Sequence, residues 1–267
     1  MKTLYLSRTR FRRLLTEAGL TLRALLFLGG RFVCPCCGWR LRTFTRGGWS
    51  LLSRHHGYCP RCNSKARHRR DWLYLQGHTN LFRERLRLLH VSPKYALSRR
   101  FVDMPTLDYV ALDLKQRPHT TLRASASSLP LRSGSIDAIV CIHVLEHVAD
   151  DRRAMREFFR VLRPGGWALI TVPVRLDQPT YEDPAIISST DRATAFGEAS
   201  HVRFYGRDLI DRLEACGFDV TVDLAGNLDE DTKARYGLLA DENIFHCVKP
   251  TSSTTAVAAS QAEVPQT

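Results

Sequence analysis

From Leu86 onward, short apolar runs alternate with amphipathic segments, and few folds admit that alternation. LRLLHV reads as a buried strand, SPKYALSRRF as a helix, LDYVALDL as a strand and TTLRAS as a short strand. SIDAIVCI is a further strand and DDRRAMREFFRVL a strongly amphipathic helix. PGG then acts as a stop signal, and WALITVPV is the next strand. GRDLIDRLEACGF is a helix ended at Gly217, and DVTVDLA and NIFHCVK are two final strands. Uninterrupted apolar strands separated by helices belong in a sheet covered on both faces. The pattern therefore predicts an α/β domain over residues 81–250, with a doubly wound, mostly parallel seven-stranded sheet.

Upstream, residues 31–66 hold five cysteines and little periodicity. Cys34-Pro-Cys36-Cys37 and Cys59-Pro60-Arg61-Cys62 form two C-x-x-C pairs with residues 38–58 between them. Gly38 and Asn63 follow the pairs, and both residue types suit tight turns. Cys34, Cys37, Cys59 and Cys62 together predict a tetrahedral, structural Zn2+ site with no open position. A segment this small builds little core of its own, so the metal supplies much of its folding energy. The alternatives are a disulfide pair or a redox C-x-x-C, or a ligand set that includes Cys36, His55 or His56. Cys141, Cys216 and Cys247 fall in strand or helix patterns and read as small core residues. The module is bounded at 31–80, with its own helix over 67–78.

The net charge of +12 is divided unevenly. Residues 1–100 carry 22 Lys and Arg against three acids, and residues 101–267 carry 17 against 24. The basic part admits RNA, an anionic surface or an acidic partner, and equally a solvated basic face. Within residues 1–30, Phe11, Leu14, Leu15, Leu20, Leu22, Leu25, Leu26 and Phe27 space out as an amphipathic helix, with Arg on its other side and Gly29–Gly30 as a stop. Packing on its own protein is the expected use, and contact with a membrane surface the alternative. No apolar run approaches the ~18 residues of a membrane span. The N-terminus lacks the apolar core of a cleaved signal, and a cytoplasmic location with reduced thiols is expected. Residues 251–267, small and polar, are expected to be disordered.

In a doubly wound sheet, ligands bind beyond the carboxyl ends of the strands. His90, Val91, Ser92 and Pro93 stand there after the first strand, Asp113 and Leu114 after the second, and Ser125 and Ala126 after the third. The segment Ile142–His147, IHVLEH, follows the fourth. A carboxylate at the end of the second strand, Asp113, can accept both hydroxyls of a ribose.

The run ASSLPLRSGSIDAIVCIHVLEHVADDRRAMREFFRVLRPGGWALITVP resembles the core of class I S-adenosylmethionine-dependent methyltransferases of the type 11 group. The L-P pair, the S-x-D-x-I-V strand, H-V-L-E-H-V and L-R-P-G-G carry the likeness, which covers about Leu86 to Lys249. PTYEDPAI, AFGEASHVRFYGRDL and the flanking knuckles resemble a subgroup with an N-terminal Cys-rich module. The resemblance implies a Rossmann-like methyltransferase fold and S-adenosylmethionine as cofactor. It implies a donor site from His90, Val91, Ser92, Pro93, Asp113, Leu114, Ser125, Ala126, His143 and Leu145. In place of the group's D-x-G-x-G-x-G turn the chain has HVSPKYAL, and Ser125 stands where the group often has an acid.

The expected activity is methyl transfer to an oxygen or nitrogen of a small-molecule acceptor. The acceptor must lose a proton, and a carboxylate or imidazole within reach can take it. His143, Glu146, Glu182, Asp183 and His201 are the candidates. Glu146 and His147 have helix capping as their plain alternative. Residues 175–200, with little periodicity, are expected to form a lid lined by Tyr181, Glu182, Asp183, His201, Arg203 and Tyr205. The competing readings are an RNA methyltransferase that grips RNA through the basic zinc module, and a non-catalytic zinc adaptor with a relic sheet domain.

Overall fold

The computed structural model describes residues 16–46, 57–117 and 120–251. His55, His56, the part of the expected N-terminal helix before residue 16 and the tail beyond Thr251 lie outside the described residues.

Seven strands form the main sheet: β3 (Leu86–Val91), β4 (Leu107–Asp113), β5 (Leu122–Arg123), β6 (Ile136–Ile142), β7 (Leu162–Thr171), β11 (Asp219–Asp223) and β12 (Ile244–Val248). Their order is β11-β12-β7-β6-β3-β4-β5. β12 runs antiparallel to both neighbours and the other pairings are parallel. The order reverses direction at β3, whose neighbours are β4 and β6, and a crevice opens there at the carboxyl ends.

Sequence explains the layering. β3 and β6 are apolar at nearly every position because both of their faces are covered. α4 (Asp151–Val161) starts where Asp150 accepts the Arg153 N–H at 2.9 Å, and it buries Ala154, Met155, Phe158 and Val161 on one stripe. That stripe joins Leu209 and Leu213 of α6 (Leu209–Glu214) on one face of the sheet. The other face takes α2 (Ala66–His78) and α3 (Tyr95–Val102) through Trp72, Leu75, Leu97 and Phe101.

The cysteine-rich module continues this second layer. Phe27, Phe32, Leu41 and Phe44 share one apolar cluster with Leu88, Val140 and Ile244 of the sheet. A boundary at residue 80 thus divides the chain but not the core. Arg69 of α2, fully buried, donates to the carbonyls of Gly57 and Ser64 in the module and of Tyr236 and Gly237 at the end of α7 (Glu230–Tyr236). Arg70 pairs with Asp223 of β11 at 2.7 Å.

Three expectations need correction. Gly29–Gly30 do not stop the first helix: α1, described over residues 16–25, ends earlier, and both glycines lie in β1 (Leu28–Val33), paired with β2 (Arg40–Leu41). A Cβ at Gly29 would stand 2.8 Å from the Arg42 backbone nitrogen, so a close strand crossing requires this glycine. Arginine is not confined to the outer side of α1: Arg23 is buried, reaching the Cys59 carbonyl and Asn63, while Leu22, Leu25 and Leu26 are exposed. Finally, PGG lies within β7, where Gly165 and Gly166 bond with Lys249 and the register with β6 shifts. It ends α4 by redirecting the chain into the sheet.

Residues 175–200 are also more ordered than their periodicity suggests. β8 (Val174–Arg175), β9 (Tyr181–Glu182) and β10 (Arg203–Gly206) form a small separate sheet, and α5 (Ser189–Phe196) lies between β9 and β10.

Candidate active site

The ends of β3 and β6 meet at the crevice, and both turn sharply. Ser92 has φ 48° and His143 φ 51°, left-handed values that side chains disfavour. Two adjacent strand tips held this way mark a site where the chain keeps strain for position. The Ser92 N–H donates to Leu112 O at 2.7 Å and the His143 N–H to Thr171 O at 2.9 Å, so each turn is tied to the neighbouring strand.

Asp113 closes β4 and is 7% exposed. Oδ1 accepts the Lys115 N–H at 2.9 Å, and Oδ2 lies 2.9 Å from Arg117 Nε. Each carboxylate oxygen keeps a second lone pair for an incoming hydroxyl. Ser125 bonds Ser127 and shapes its own turn, with the nearly buried Ala126 behind it. Leu114 is exposed and Leu145 fully buried. The left-handed Ser92 makes the turn a glycine would otherwise make, and Asp113 keeps lone pairs that a diol can fill. These residues fit the adenosine portion of S-adenosylmethionine.

His90 sits differently. Its ring is buried against Phe101 and bonds the Tyr109 hydroxyl at 2.9 Å. Burial pushes its pKa down to about 3. The side chain belongs to the core, and only its backbone borders the crevice.

Past His143, a 3-10 turn over Leu145–His147 carries Glu146, 1% exposed. His143 Nδ1 stands 3.2 Å from Glu146 Oε1, and His143 Nε2 3.5 Å from Glu242. Burial pushes the imidazole pKa down, but the two carboxylates outweigh it, and the net shift is upward. His201 comes from the far side, its Nε2 4.0 Å from Glu146. The Val202 N–H donates to the Glu146 carbonyl at 2.9 Å, and Arg203 donates to the carbonyls of Leu145, Val148 and Ala149. The segment from Leu145 to Ala149 is thus clamped from β10.

The structure therefore gathers His143, Glu146 and His201. Glu182 instead bridges Arg203 and Arg212, at 2.7 and 2.9 Å. Burial acts to raise its pKa, but the two guanidiniums outweigh that and hold it below the ordinary range, which makes it a poor base. Asp183 accepts the Ala185 N–H and shapes a turn. Sequence reasoning missed Glu242, which lies in the loop before β12, and Asp71 of α2. Asp71 is fully buried; burial first and Glu242 second push its carboxyl up to about 8. A cavity of about 500 Å3 beside the β3 tip is lined by Tyr58, Lys65, Arg67, His68, Lys94 and Tyr95, among others. It lies between the second knuckle and the start of α3.

At the cysteine centre, the sulfurs of Cys34, Cys37, Cys59 and Cys62 lie within 4.8 Å of one another. Cys34–Cys62 is 3.6 Å and Cys37–Cys59 3.7 Å. Tetrahedral zinc with Zn–S of about 2.3 Å places sulfurs about 3.8 Å apart, so the four fit the ion. Gly38 and Asn63 take positive φ, and the backbones of Gly38 and Asn63 bond Cys34 O and Cys59 O, closing the two knuckles. Cys36 points elsewhere, toward the His68 carbonyl.

A family model described as a methyltransferase domain matches residues 99–170, from α3 through β6 into β7. The chain is thus similar to S-adenosylmethionine-dependent methyltransferases over part of its length. It is 29% identical over 126 residues to a Mycolicibacterium smegmatis protein named "probable S-adenosylmethionine-dependent methyltransferase", covering 46% of this chain and 45% of that one. It is 44% identical over 61 residues to the Mus musculus tRNA (carboxymethyluridine(34)-5-O)-methyltransferase, covering 22% of this chain and 9% of that one. The chain spans less than half the length of these curated relatives. Among solved structures, the cyclase SpnF superposes with a TM-score of 0.52 at 19% identity, over 78% of this chain and 88% of that one. The methyltransferase fold by itself leaves the reaction open, as a neighbour named for cyclisation illustrates.

Proposed function

We propose that this chain transfers a methyl group from S-adenosylmethionine to an oxygen or nitrogen of a small-molecule acceptor. The observation that carries the proposal is the His143–Glu146 pair at the tip of β6, one strand from the turn at Ser92. The bound donor supplies an already activated methyl group, so the protein's task is alignment and proton removal. Asp113 holds the ribose hydroxyls, and Ser92 and Pro93 form the turn beneath the donor. Lys94 and Arg67, at the cavity beside the turn, offer cations for the donor's carboxylate where glycine amides would otherwise serve.

His143 takes the acceptor's proton, and Glu146 and Glu242, which face its Nδ1 and Nε2, stabilise the imidazolium formed. Four charges of the basic half are committed inside the protein, because Arg23, Arg69, Arg70 and Arg99 are all buried. That favours a small acceptor over RNA.

The RNA reading draws on the remaining basic surface and on the tRNA-methylating relative. Donor carrying a labelled methyl, incubated separately with a metabolite extract and with total RNA, tests the choice. Label in the metabolite fraction, lost with His143→Ala, is the expected result. Label in RNA supports the second reading, and label in neither contradicts both.

A further inference from the structure

We propose that Glu146, His147 and His201 form a second metal centre, which takes a divalent first-row transition ion and presents it to two oxygens of the methyl acceptor. One ligand atom from each residue lies within 4.8 Å of the others. Glu146 is 1% exposed, and neither of its carboxylate oxygens has a hydrogen-bond partner of good geometry among the described residues. Oε1 is approached by His143 and His201, but among the described residues no ion pair reaches Oε2. A buried carboxylate left in this state is costly unless a cation completes it.

The two imidazoles are set for that role. His147 Nδ1 lies 3.1 Å from the Ser200 carbonyl, and His201 Nδ1 3.2 Å from the Phe196 carbonyl. A carbonyl only accepts, so His201 Nδ1 carries the hydrogen and its Nε2 is left to bind an ion, while His147 Nδ1 also lies 3.1 Å from the Ser200 hydroxyl. Histidines that bind metals are oriented by this same outer bond. The rings stand edge to face at 4.7 Å. Glu198 Oε2, 3.1 Å from His201 Nε2, is close enough to serve as a fourth ligand.

Two imidazoles and one carboxylate suit Mn2+, Fe2+, Co2+ or Zn2+ better than Mg2+ or Ca2+. Three protein ligands leave positions open, and a vicinal diol fills two of them. Coordination would also ease loss of the hydroxyl proton. The acceptor part of this proposal rests on the methyltransferase reading; the metal site does not.

Electron paramagnetic resonance of Mn2+ titrated into the zinc-loaded full chain is the test. Mn2+ prefers oxygen and nitrogen ligands, so the four-cysteine centre does not compete for it. One saturable Mn2+ site per chain is expected, weakened at least about tenfold by His147→Ala and by His201→Gln. His147 is exposed, and melting curves show whether each variant keeps its fold. The absence of a saturable site, or equal affinity in both folded variants, overturns the metal centre. Pyrocatechol is expected to change the spectrum of the bound ion, and an unchanged spectrum overturns the acceptor part. No methyl transfer is measured, so a failure of the methyltransferase reading stays separately visible.

Discussion

Ser92 and His143 both take left-handed backbone conformations at the tips of β3 and β6, two strands hydrogen-bonded side by side. Left-handed residues other than glycine cost about 1–2 kcal/mol each, and these two flank the crevice. A β-branched residue raises that cost. Ser92→Ile is therefore expected to lose roughly 1–2 kcal/mol in urea unfolding, whereas Ser92→Gly loses little or nothing. Equal losses in the two variants would contradict a conformational cause.

His90 provides a pH signature. Its folded pKa is lowered to about 3, chiefly by burial, from an ordinary 6.5. Between those values the unfolded chain binds the extra proton, so stability falls as pH drops below about 6.5 and levels off near about 3. The full effect is on the order of several kcal/mol. His90→Phe should flatten this part of the stability–pH curve, measured by urea unfolding from pH 7 to pH 4.

Arg203 is nearly buried and donates to three carbonyls of the segment after Leu145, while pairing with Glu182. Removing it strands those acceptors and leaves Glu182 with Arg212 alone. Arg203→Met is expected to cost about 3–5 kcal/mol. Arg203→Lys should recover little, because one ammonium cannot replace the fork. Thermal unfolding of both variants checks this, and a lysine variant as stable as the parent would contradict it.

The cysteine centre predicts one zinc per chain that survives brief exposure to EDTA. Cys37→Ser should lose it. Because the module shares its apolar cluster with β3 and β6, zinc loss should lower the melting temperature of the whole chain in one transition. A separate early transition would contradict that shared core.

Much of this was readable in the residues. The strand runs, the helix Asp151–Val161 and the two knuckles follow from periodicity and spacing, and the strand tips put Ser92, Asp113 and His143 around one crevice. Other features depend on distance in space. Glu242 lies in a loop far along the chain from His143, and no local pattern marks it. Arg69 looks like any other surface arginine until four carbonyls are seen around it. The helices α5 and α7 are too short for periodicity, yet their caps were present as Ser188 with Gly197 and Asp229 with Gly237. Gly29–Gly30 misled because glycine pairs end helices as readily as they allow a close strand crossing.

Calorimetric titration with S-adenosylmethionine, then S-adenosylhomocysteine, tests the central claim most directly. The account predicts binding of both to the folded, zinc-loaded chain, abolished by Asp113→Ala. A folded, zinc-loaded chain that binds neither would contradict it and favour a relic sheet domain serving as a zinc adaptor.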